Sequence, residues 1–300
     1  MKFEDLNLAP AIQKAVAEQG YETPTPIQAQ AIPPALRGQD VLGIAQTGTG
    51  KTAGFTLPMI TLLGQGRARA RMPRSLVLAP TRELAAQVAE SFDKYAKYTK
   101  LTKALLIGGV SFGDQDKLID RGVDVLIATP GRLLDHFERG KLLLTGVQIM
   151  VVDEADRMLD MGFIRDIQKI LALLPPKRQN LLFSATFSGD IRRLATGLLH
   201  NPVQLQATPE NRTAPTVEHL LHPCDMDRKA DLLSHLISNN NWQQVLVFSR
   251  TKHGANRMAE RLTREGMSAS AIHGNKSQGA RTRALADFKA GSLRVLVATD

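Results

Sequence analysis

Residues 41–52 read V-L-G-I-A-Q-T-G-T-G-K-T, a short apolar run that leads into a glycine-rich turn and then into Lys51 and Thr52. The following residues, as far as Leu63, have the apolar spacing of a helix. Small glycines let consecutive backbone N–H groups converge on phosphate oxygens, and the start of a helix adds the positive end of its dipole. The order strand, loop, helix therefore predicts a phosphate-binding loop, in which Lys51 contacts the β- and γ-phosphates and the Thr52 hydroxyl ligates Mg²⁺.

The predicted cofactor-binding residues of this loop are Ala45, Gln46, Thr47, Gly48, Thr49, Gly50, Lys51 and Thr52. Ala45 stands where the general pattern has Gly. The alternative, a glycine-rich turn that happens to precede Lys-Thr, is disfavoured because the turn joins a strand to a helix.

Short apolar runs recur on both sides of this loop, at Ser75–Ala79, Ala104–Ile107, Val123–Ala128, Val147–Val152 and Asn180–Ser184. Runs of this kind are typical of parallel strands that are buried on both faces. Helix-period segments lie between them, at Thr52–Leu63, Glu83–Tyr98, Arg132–Arg139, Phe163–Leu173 and Ile191–Leu199. The alternation predicts an α/β fold with a doubly wound parallel sheet.

A polar segment with two prolines follows the apolar run Val203–Gln206 and is the predicted linker. A second α/β series comes after it, with strands predicted at Val217–Leu221, Val245–Ser249, Ser268–Ile272 and Arg294–Ala298 and helices at Arg228–Ile237, Gly254–Glu265 and Gln278–Lys289. We therefore divide the chain into a complete first domain (1–207), a linker (208–216) and a partial second domain (217–300). Because the series stops directly after a strand, we expect a truncated domain in which Arg294–Ala298 exposes an apolar edge.

The composition fits a folded protein with a polyanionic partner. Hydrophobic residues make up 43% and charged residues 22% of the 300 residues, which excludes intrinsic disorder. No stretch approaches the ~20 apolar residues of a membrane span, and the N-terminus lacks the apolar core of a signal peptide. With the single cysteine, Cys224, these features predict a cytoplasmic protein without a membrane partner. The net charge of +9 favours a polyanion over a small neutral substrate.

A second motif follows the apolar run Ile149–Val152, which leads directly into Asp153-Glu154-Ala155-Asp156. A carboxylate at the carboxyl end of a parallel strand faces the crevice in which such sheets bind ligands. Asp153 is therefore predicted to hold Mg²⁺, and Glu154 to orient and deprotonate an attacking water. A lone acidic tetrad would more often be a solvated helix start, but beside a phosphate-binding loop it indicates an ATPase.

Asp153–Asp156 spells D-E-A-D, and the chain resembles the DEAD-box RNA helicase family. Further motifs of that family stand in order: G-Y-E-T-P-T-P-I-Q at 20–28, A-P-T-R-E-L at 79–84, Gly108-Gly109, T-P-G-R at 129–132, S-A-T at 184–186, V-F-S-R at 247–250 and A-T-D at 298–300. Segments 162–167, 178–188 and 273–289 are similar to the bacterial RhlE type. The resemblance implies RecA-like lobes and an RNA-dependent ATPase that locally unwinds short RNA duplexes.

The resemblance also implies roles in ATP binding and catalysis. Gln28 would read adenine, with Phe3 or Tyr21 stacked on the ring, which favours ATP over GTP. Ser184 and Thr186 would hydrogen-bond to the acidic motif and couple hydrolysis to RNA. Outside the motif, Gln28 would be an ordinary residue at a helix start, and the two hydroxyls would merely cap a loop.

For RNA, the resemblance implies contacts to the sugar–phosphate backbone of one strand, without sequence specificity and with strong salt dependence. The implied residues are Pro80, Thr81, Arg82, Gly108, Gly109, Thr129, Gly131 and Arg132 in the first domain and Arg250 and Thr299 in the second. Each arginine by itself would more often be a surface charge.

One family motif, His-Arg-x-Gly-Arg-x-Gly-Arg, does not occur in the 300 residues. Its arginines supply a finger that contributes about 10³–10⁵ in rate in NTPases. We therefore expect this chain to bind nucleotide and to hydrolyse it poorly. The alternatives are a nucleotide-gated RNA clamp or scaffold without turnover and a DNA translocase, and Gln28 together with Asp153–Asp156 argues against the translocase. RhlE-type relatives imply ribosome-assembly or RNA-decay proteins as partners.

Overall fold

The computed structural model describes residues 1–207 and 217–299. The chain divides into two compact units, Met1–Arg212 and Thr213–Asp300. The predicted linker, 208–216, lies outside the described residues, as does Asp300. In the part of the chain that is described, none of the helices combines the length and the apolar character that crossing a membrane requires.

The first unit is built on a seven-stranded sheet with the order β3-β4-β2-β5-β6-β1-β7. Neighbouring strands are parallel throughout. The strands are β1 (Val41–Ile44), β2 (Ser75–Leu78), β3 (Lys103–Leu106), β4 (Val125–Ala128), β5 (Ile149–Val152), β6 (Gln179–Ser184) and β7 (Val203–Gln206). The predicted doubly wound parallel sheet is confirmed, and each predicted strand of this domain forms with bounds shifted by at most two residues.

Helices cover both faces of this sheet: α1 (Pro10–Glu18), α2 (Pro26–Leu36), α3 (Lys51–Leu63), α4 (Arg82–Tyr95), α5 (Phe112–Arg121), α6 (Pro130–Glu138), α7 (Ala155–Asp160), α8 (Ile164–Leu173) and α9 (Gly189–Leu198). Residues of α1 to α4 share one apolar cluster with Val77, and residues of α5 to α9 share the other with Leu76 and Leu78. Successive side chains of a strand point to opposite faces, so a central strand covered on both sides is apolar throughout.

Several helices lie outside the segments that the apolar spacing predicts. They are α1, α2, α5 and α7. Pro33 and Pro34 lie inside α2 and are residues that ordinarily argue against a helix. Burial of Ile27, Ala31 and Ile32 in the core stabilises the helix nonetheless.

The second unit contains a three-stranded parallel sheet with the order β8-β10-β9. Its elements are α10 (Lys229–Asn239), β8 (Val245–Phe248), α11 (Lys252–Arg264), β9 (Ala269–Ile272), α12 (Gln278–Ala290) and β10 (Val295–Ala298). Val295 and Val297 pack with residues of α10 and α11, and Leu296 packs on the other face with residues of α12.

Two expectations for this unit are wrong. Val217–Leu221 is not a strand, and its side chains are exposed. A strand needs a partner for its backbone groups, and within the described residues of this unit only β8, β9 and β10 pair. Arg294–Ala298 does not expose an apolar edge, because β10 lies between β8 and β9 and is buried. Among the strands of this sheet, the edge strand β8 exposes large apolar side chains, at Leu246 and Phe248.

Candidate functional site

The predicted motifs of the first unit converge at one edge of the sheet. Parallel register places Ile44 beside Ser184, Val152 beside Leu182, and Leu78 beside both Val152 and Ala128. The carboxyl ends of the strands therefore lie together, and so do the loops that follow them.

The order of the strands divides this edge in two. The loops after β5, β6 and β1 form the phosphate-loop half, which comprises residues 153–156, 184–186 and 45–52. The loops after β3, β4 and β2 form the arginine half, which comprises residues 107–110, 129–132 and 79–82.

The phosphate-binding loop has the backbone conformation that its glycines allow. Gly48 and Gly50 have φ of +83° and +87°, in the left-handed region. Gly50 caps the start of α3, so the N–H groups of the first turn point out of the helix toward the loop. Thr49 Oγ1 donates to the carbonyl of Gln46 at 2.7 Å and closes the turn. The geometry is that of an anion-binding nest at a helix start.

Lys51 is the first residue of α3, and its side chain is almost completely buried, with 6% exposure. Its Nζ has no hydrogen-bond partner within the described part of the chain. A buried ammonium group is unfavourable unless an anion compensates it. The residues at this position therefore fit a phosphate.

Asp153 follows β5 and is 2% exposed. Burial raises the pKa of its carboxyl to about 6, the nearby Lys51 opposes this shift and Glu154 adds to it. Among the described residues, no group of three or more His, Cys, Asp and Glu side chains could hold a metal ion. Mg²⁺ typically takes one or two protein oxygens together with substrate phosphates. Thr52 and Asp153 fit that mode.

Glu154 has φ of +50°, a left-handed conformation that is unusual for a residue with a side chain. Its N–H donates to Asp153 Oδ1 at 2.9 Å, and its Oε1 accepts from Thr47 Oγ1 at 3.3 Å. The second contact joins the acidic motif to the phosphate-binding loop. Strain of this kind, about 1–3 kcal/mol, clusters at functional sites.

Ser184 and Thr186 lie next to this motif. Ser184 is buried at the end of β6, and its carbonyl accepts from the N–H of Ala45 at 3.0 Å. Its Oγ accepts from the N–H of Thr186 at 3.4 Å, and the Thr186 side chain is exposed. Ser184 is thus bonded to both the phosphate-binding loop and Thr186.

Gln28 lies in the first turn of α2, and its amide is bonded on both sides. Oε1 accepts from the N–H of Thr25 at 2.9 Å, and Nε2 donates to the carbonyl of Gly50 at 3.1 Å. A Cβ on Gly50 would lie only 2.4 Å from Nε2. Gln28 and Gly50 are therefore packed as a unit.

The two aromatic candidates for adenine stacking are placed differently. Phe3 is 5% exposed and belongs to the apolar core, whereas Tyr21 is 49% exposed. A stacking ring needs a free face, which Tyr21 has and the buried Phe3 lacks; stacking of either ring on adenine stays a prediction.

The arginine half brings together the residues after β2, β3 and β4. Pro80 is buried, and Thr81 caps α4 by accepting from the N–H of Leu84 at 3.2 Å. The Arg82 guanidinium lies against Gly108, where an added Cβ would be 3.1 Å from one of its nitrogens. Gly109 has φ of +79° and is exposed, and Thr129 and Gly131 are partly exposed.

Arg132 is buried within this half. Its Nε donates to the carbonyl of Ile107 at 3.0 Å and a terminal nitrogen donates to the carbonyl of Val110 at 2.9 Å. Burial lowers its pKa, Asp135 opposes this shift, and Arg82 and Arg139 add to it. Arg132 thus bonds to both ends of the loop that carries Gly108 and Gly109, and its charge makes the electrostatic potential there more positive.

The second unit carries Arg250 and Thr299 beyond β8 and β10. Phe248 and Ala298 are paired in register, so both residues lie beyond the same edge of its sheet. Arg250 is exposed, and the N–H of Thr299 donates to the carbonyl of Ile272 at 3.3 Å.

Two side chains that pack against the arginine half, Gln115 and Phe112, are not predicted by the sequence motifs. Gln115 donates to the carbonyl of Ile107 at 3.0 Å, and the Phe112 ring lies 3.9 Å from the guanidinium carbon of Arg132. Motif spacing carries no signal for such contacts between α5 and its neighbours. One usable signal is the T-x-x-Q pattern at Thr25–Gln28, which predicts the start of α2 at Pro26.

Comparison with protein families gives two matches. The family described as "DEAD/DEAH box helicase" matches residues 25–194, and the one described as "Helicase conserved C-terminal domain" matches residues 228–300.

Similar proteins carry related names. The chain is 45% identical to an ATP-dependent RNA helicase RhlB from Pseudomonas aeruginosa, with 100% of the chain and 77% of that protein covered. It is 41% identical to an ATP-dependent RNA helicase DeaD from Mycobacterium tuberculosis, with 99% of the chain and 52% of that protein covered. The finer resemblance to the RhlE type stays a prediction.

Two solved structures have similar folds. Dbp5 from Saccharomyces cerevisiae bound to RNA and ADP BeF3 matches with a TM-score of 0.88 at 32% identity, over 99% of the chain and 75% of that chain. A DEAD box protein from Methanococcus jannaschii matches with a TM-score of 0.65 at 35% identity, over 100% and 80%. The parallel α/β architecture is therefore that of the RecA-like DEAD-box folds.

Proposed function

The chain belongs to the DEAD/DEAH box helicase family, an ATP-hydrolysing family of enzymes, and from this membership we propose that it binds ATP with Mg²⁺ and unwinds short RNA duplexes locally. The observation that carries the proposal is Lys51, the first residue of α3 directly after the glycine-rich loop, whose buried Nζ lacks a hydrogen-bond partner among the described residues.

In this function, the phosphate-loop half holds the triphosphate. The N–H groups of residues 48–52 and the Lys51 ammonium bind its oxygens, and Gln28 and Tyr21 contact the adenine. Thr52 and Asp153 would hold Mg²⁺, which when bound neutralises charge on the β- and γ-phosphates. Glu154 orients the attacking water and accepts its proton.

Coupling between hydrolysis and RNA binding runs through Ser184 and Thr186. Ser184 contacts Ala45 in the phosphate-binding loop through backbone atoms, and its hydroxyl contacts the backbone of Thr186. A shift of the phosphate-binding loop at Ala45 would therefore move Ser184 and, through it, the backbone of Thr186.

RNA is bound through its sugar–phosphate backbone. The donors are Arg82, the hydroxyls of Thr81 and Thr129 and the backbone of Gly108, Gly109 and Gly131. Arg132 contributes by holding the loop that carries Gly108 and Gly109, and Pro80 shapes the loop after β2. In the second unit they are Arg250 and Thr299. Backbone contacts carry no sequence information, and affinity should fall steeply with salt.

The 300 residues taken by themselves should hydrolyse ATP more slowly than the complete protein, because the arginine-finger motif does not occur among them. We place the protein in the cytoplasm, with ribosome-assembly or RNA-decay proteins as its partners.

The test is RNA-stimulated ATP hydrolysis and separation of a short RNA duplex by the complete protein. Glu154→Gln should lower hydrolysis about 10²–10⁴-fold with nucleotide affinity retained. Glu138→Gln, an exposed change on α6, is the matched control and should leave both unchanged.

Three results would contradict the proposal in different ways. Absence of stimulation by any RNA would refute the helicase. Nucleotide-dependent RNA binding without turnover would support a clamp or scaffold. Equal stimulation by DNA and RNA would support a DNA translocase.

A further inference from the structure

A buried histidine lies behind the arginine half. His136 is on α6 and has 0% exposure. Its Nε2 lies 2.8 Å from Gln115 Oε1, and its Nδ1 lies 3.0 Å from Asp116 Oδ1, both on α5. The hydrogen bonds and ion pairs of these three side chains within the described residues are with one another, with the carbonyl of Ile107 and with Arg139, all on the side of the arginine half.

The orientation of Gln115 follows from its other contact. Its Nε2 donates to the carbonyl of Ile107 at 3.0 Å. A carbonyl only accepts, so the amide nitrogen must face Ile107 and the amide oxygen must face His136. His136 Nε2 therefore carries a proton and donates it to Gln115. The two bonds form a chain from α6 through α5 to the residue that precedes Gly108.

The carbonyl of Ile107 is held from two sides, because it also accepts from Arg132 Nε at 3.0 Å. Arg132 holds the carbonyl of Val110 at the other end of the loop. Gly108 and Gly109 lie between these two anchored carbonyls. The direction of their N–H groups is thus set by side chains that do not themselves lie at the surface.

Packing keeps the chain of bonds in place. The Phe112 ring lies between the guanidinium groups of Arg132 and Arg139, whose central carbons are 3.9 and 4.2 Å from its centroid. His136 meets the same ring edge-on at 5.1 Å. Arg139 also pairs with Asp116 at 3.1 Å. These ring and ion-pair contacts limit the movement of His136 and Gln115.

We propose that Gln115 and His136 are positioning residues for RNA binding, which fix the Ile107 carbonyl and thereby direct the Gly108–Gly109 backbone toward an RNA phosphate. The inference rests on the proposed function, since it assumes that this loop binds the RNA backbone. Neither side chain contacts RNA itself.

The test compares two changes at Gln115 in the complete protein. Gln115→Met keeps the size of the side chain and removes both hydrogen bonds. Gln115→Glu keeps the acceptor for His136 and removes the donor for Ile107. The dissociation constant for single-stranded RNA should rise about five- to tenfold in both variants, because a loop anchor worth one buried hydrogen bond is lost.

A matched control and a second readout separate positioning from general damage. Gln168→Met, on the exposed face of α8, should leave RNA affinity unchanged. In RNA-stimulated hydrolysis, the RNA concentration at half-maximal rate should rise in the Gln115 variants, whereas the rate at saturating RNA and the affinity for an ATP analogue stay the same. His136→Gln, which can still donate to Gln115, should retain more affinity than His136→Phe.

Several outcomes overturn the inference. Equal RNA affinity of wild type and Gln115→Met would show that the bonds do not position the loop. A parallel loss of ATP-analogue affinity would indicate a structural role only. Wild-type protein that binds no RNA would instead refute the proposed function, so the two failures are distinguishable.

Discussion

Two buried basic side chains show how the halves of the carboxyl edge differ. Lys51 in the phosphate-loop half and Arg132 in the arginine half are about equally buried, at 6% and 9% exposure. The Lys51 ammonium has no hydrogen-bond partner within the described residues, whereas Arg132 donates to two backbone carbonyls. The ammonium of the first half thus has the nearby Asp153 carboxyl as an electrostatic partner but no hydrogen bond, whereas the guanidinium of the second half is hydrogen-bonded within the protein.

The difference has a physical reason. A buried ammonium without a hydrogen-bond partner is unfavourable even with a carboxyl nearby, so a phosphate that accepts its hydrogen bonds gains in affinity. A guanidinium group that is already bonded to carbonyls gains less from an anion and serves better to hold a loop. The first half therefore offers free donors to an anion, whereas the donors of Arg132 in the second half hold a loop.

The largest effect is expected from Lys51→Met. ATP hydrolysis should fall by about 10²–10³-fold, since a group that stabilises phosphate charge is removed. The free energy of unfolding without nucleotide should change by less than about 2 kcal/mol, because loss of a buried ammonium without a hydrogen-bond partner is offset by loss of its attraction to the buried Asp153 carboxyl. Chemical denaturation and hydrolysis assays measure the two quantities, with the exposed Lys94→Met as control. A larger loss of stability would contradict the view that the Lys51 ammonium contributes to nucleotide binding and not to the stability of the fold.

The second largest effect on nucleotide binding and stability is expected from Gly50→Ala. The new Cβ would lie 2.4 Å from Gln28 Nε2, and φ at this position is +87°. We expect ATP-analogue affinity to fall at least about tenfold and stability to fall by more than the roughly 1–2 kcal/mol of the left-handed conformation alone. Gly162→Ala isolates that conformational cost, because φ there is +82° and nothing lies within 4 Å of a Cβ. Unchanged nucleotide affinity in Gly50→Ala would show that the glycine is dispensable.

Lysine substitutions at Arg132 and Arg82 test whether the two arginines of the arginine half have different roles. Arg132→Lys should lower the free energy of unfolding by about 1–3 kcal/mol, since a lysine cannot reach both carbonyls of the loop. Arg82→Lys should change it by less than about 0.5 kcal/mol and should weaken RNA binding. Urea denaturation followed by an RNA-binding titration distinguishes the two. Equal stability of both variants would show that Arg132 does not hold the loop.

The smallest effect is expected at a helix cap. Thr81→Ala removes the acceptor for the N–H of Leu84 and should cost about 1 kcal/mol. Ser188→Ala removes the equivalent acceptor at α9, for the N–H of Ile191, and should cost a similar amount. Only Thr81→Ala should also weaken RNA binding, because only Thr81 lies in the arginine half. If both variants bind RNA like wild type, the Thr81 hydroxyl acts solely as a cap.

The sequence predicts much of this architecture because its strongest signals are local. Buried parallel strands produce short apolar runs, and the glycine-rich turn before Lys51 marks both a strand end and a helix start. The predictions fail where pairing decides the outcome. Val217–Leu221 has the composition of a strand but no partner among the described strands, and Arg294–Ala298 becomes the central strand only because β8 and β9 lie on either side of it.

Residue type and spacing along the chain are enough to predict the fold class, the glycine-rich loop before Lys51 and the residues that follow each strand. Other features are visible only in the tertiary structure. Phe3 is buried while Tyr21 is exposed, and Lys51 lacks a hydrogen-bond partner among the described residues. Arg132 holds a loop. The physical reason is that burial and hydrogen bonding arise between segments far apart in sequence. The contact of Gln28 with Gly50 and that of His136 with Gln115 exist only after the chain has packed.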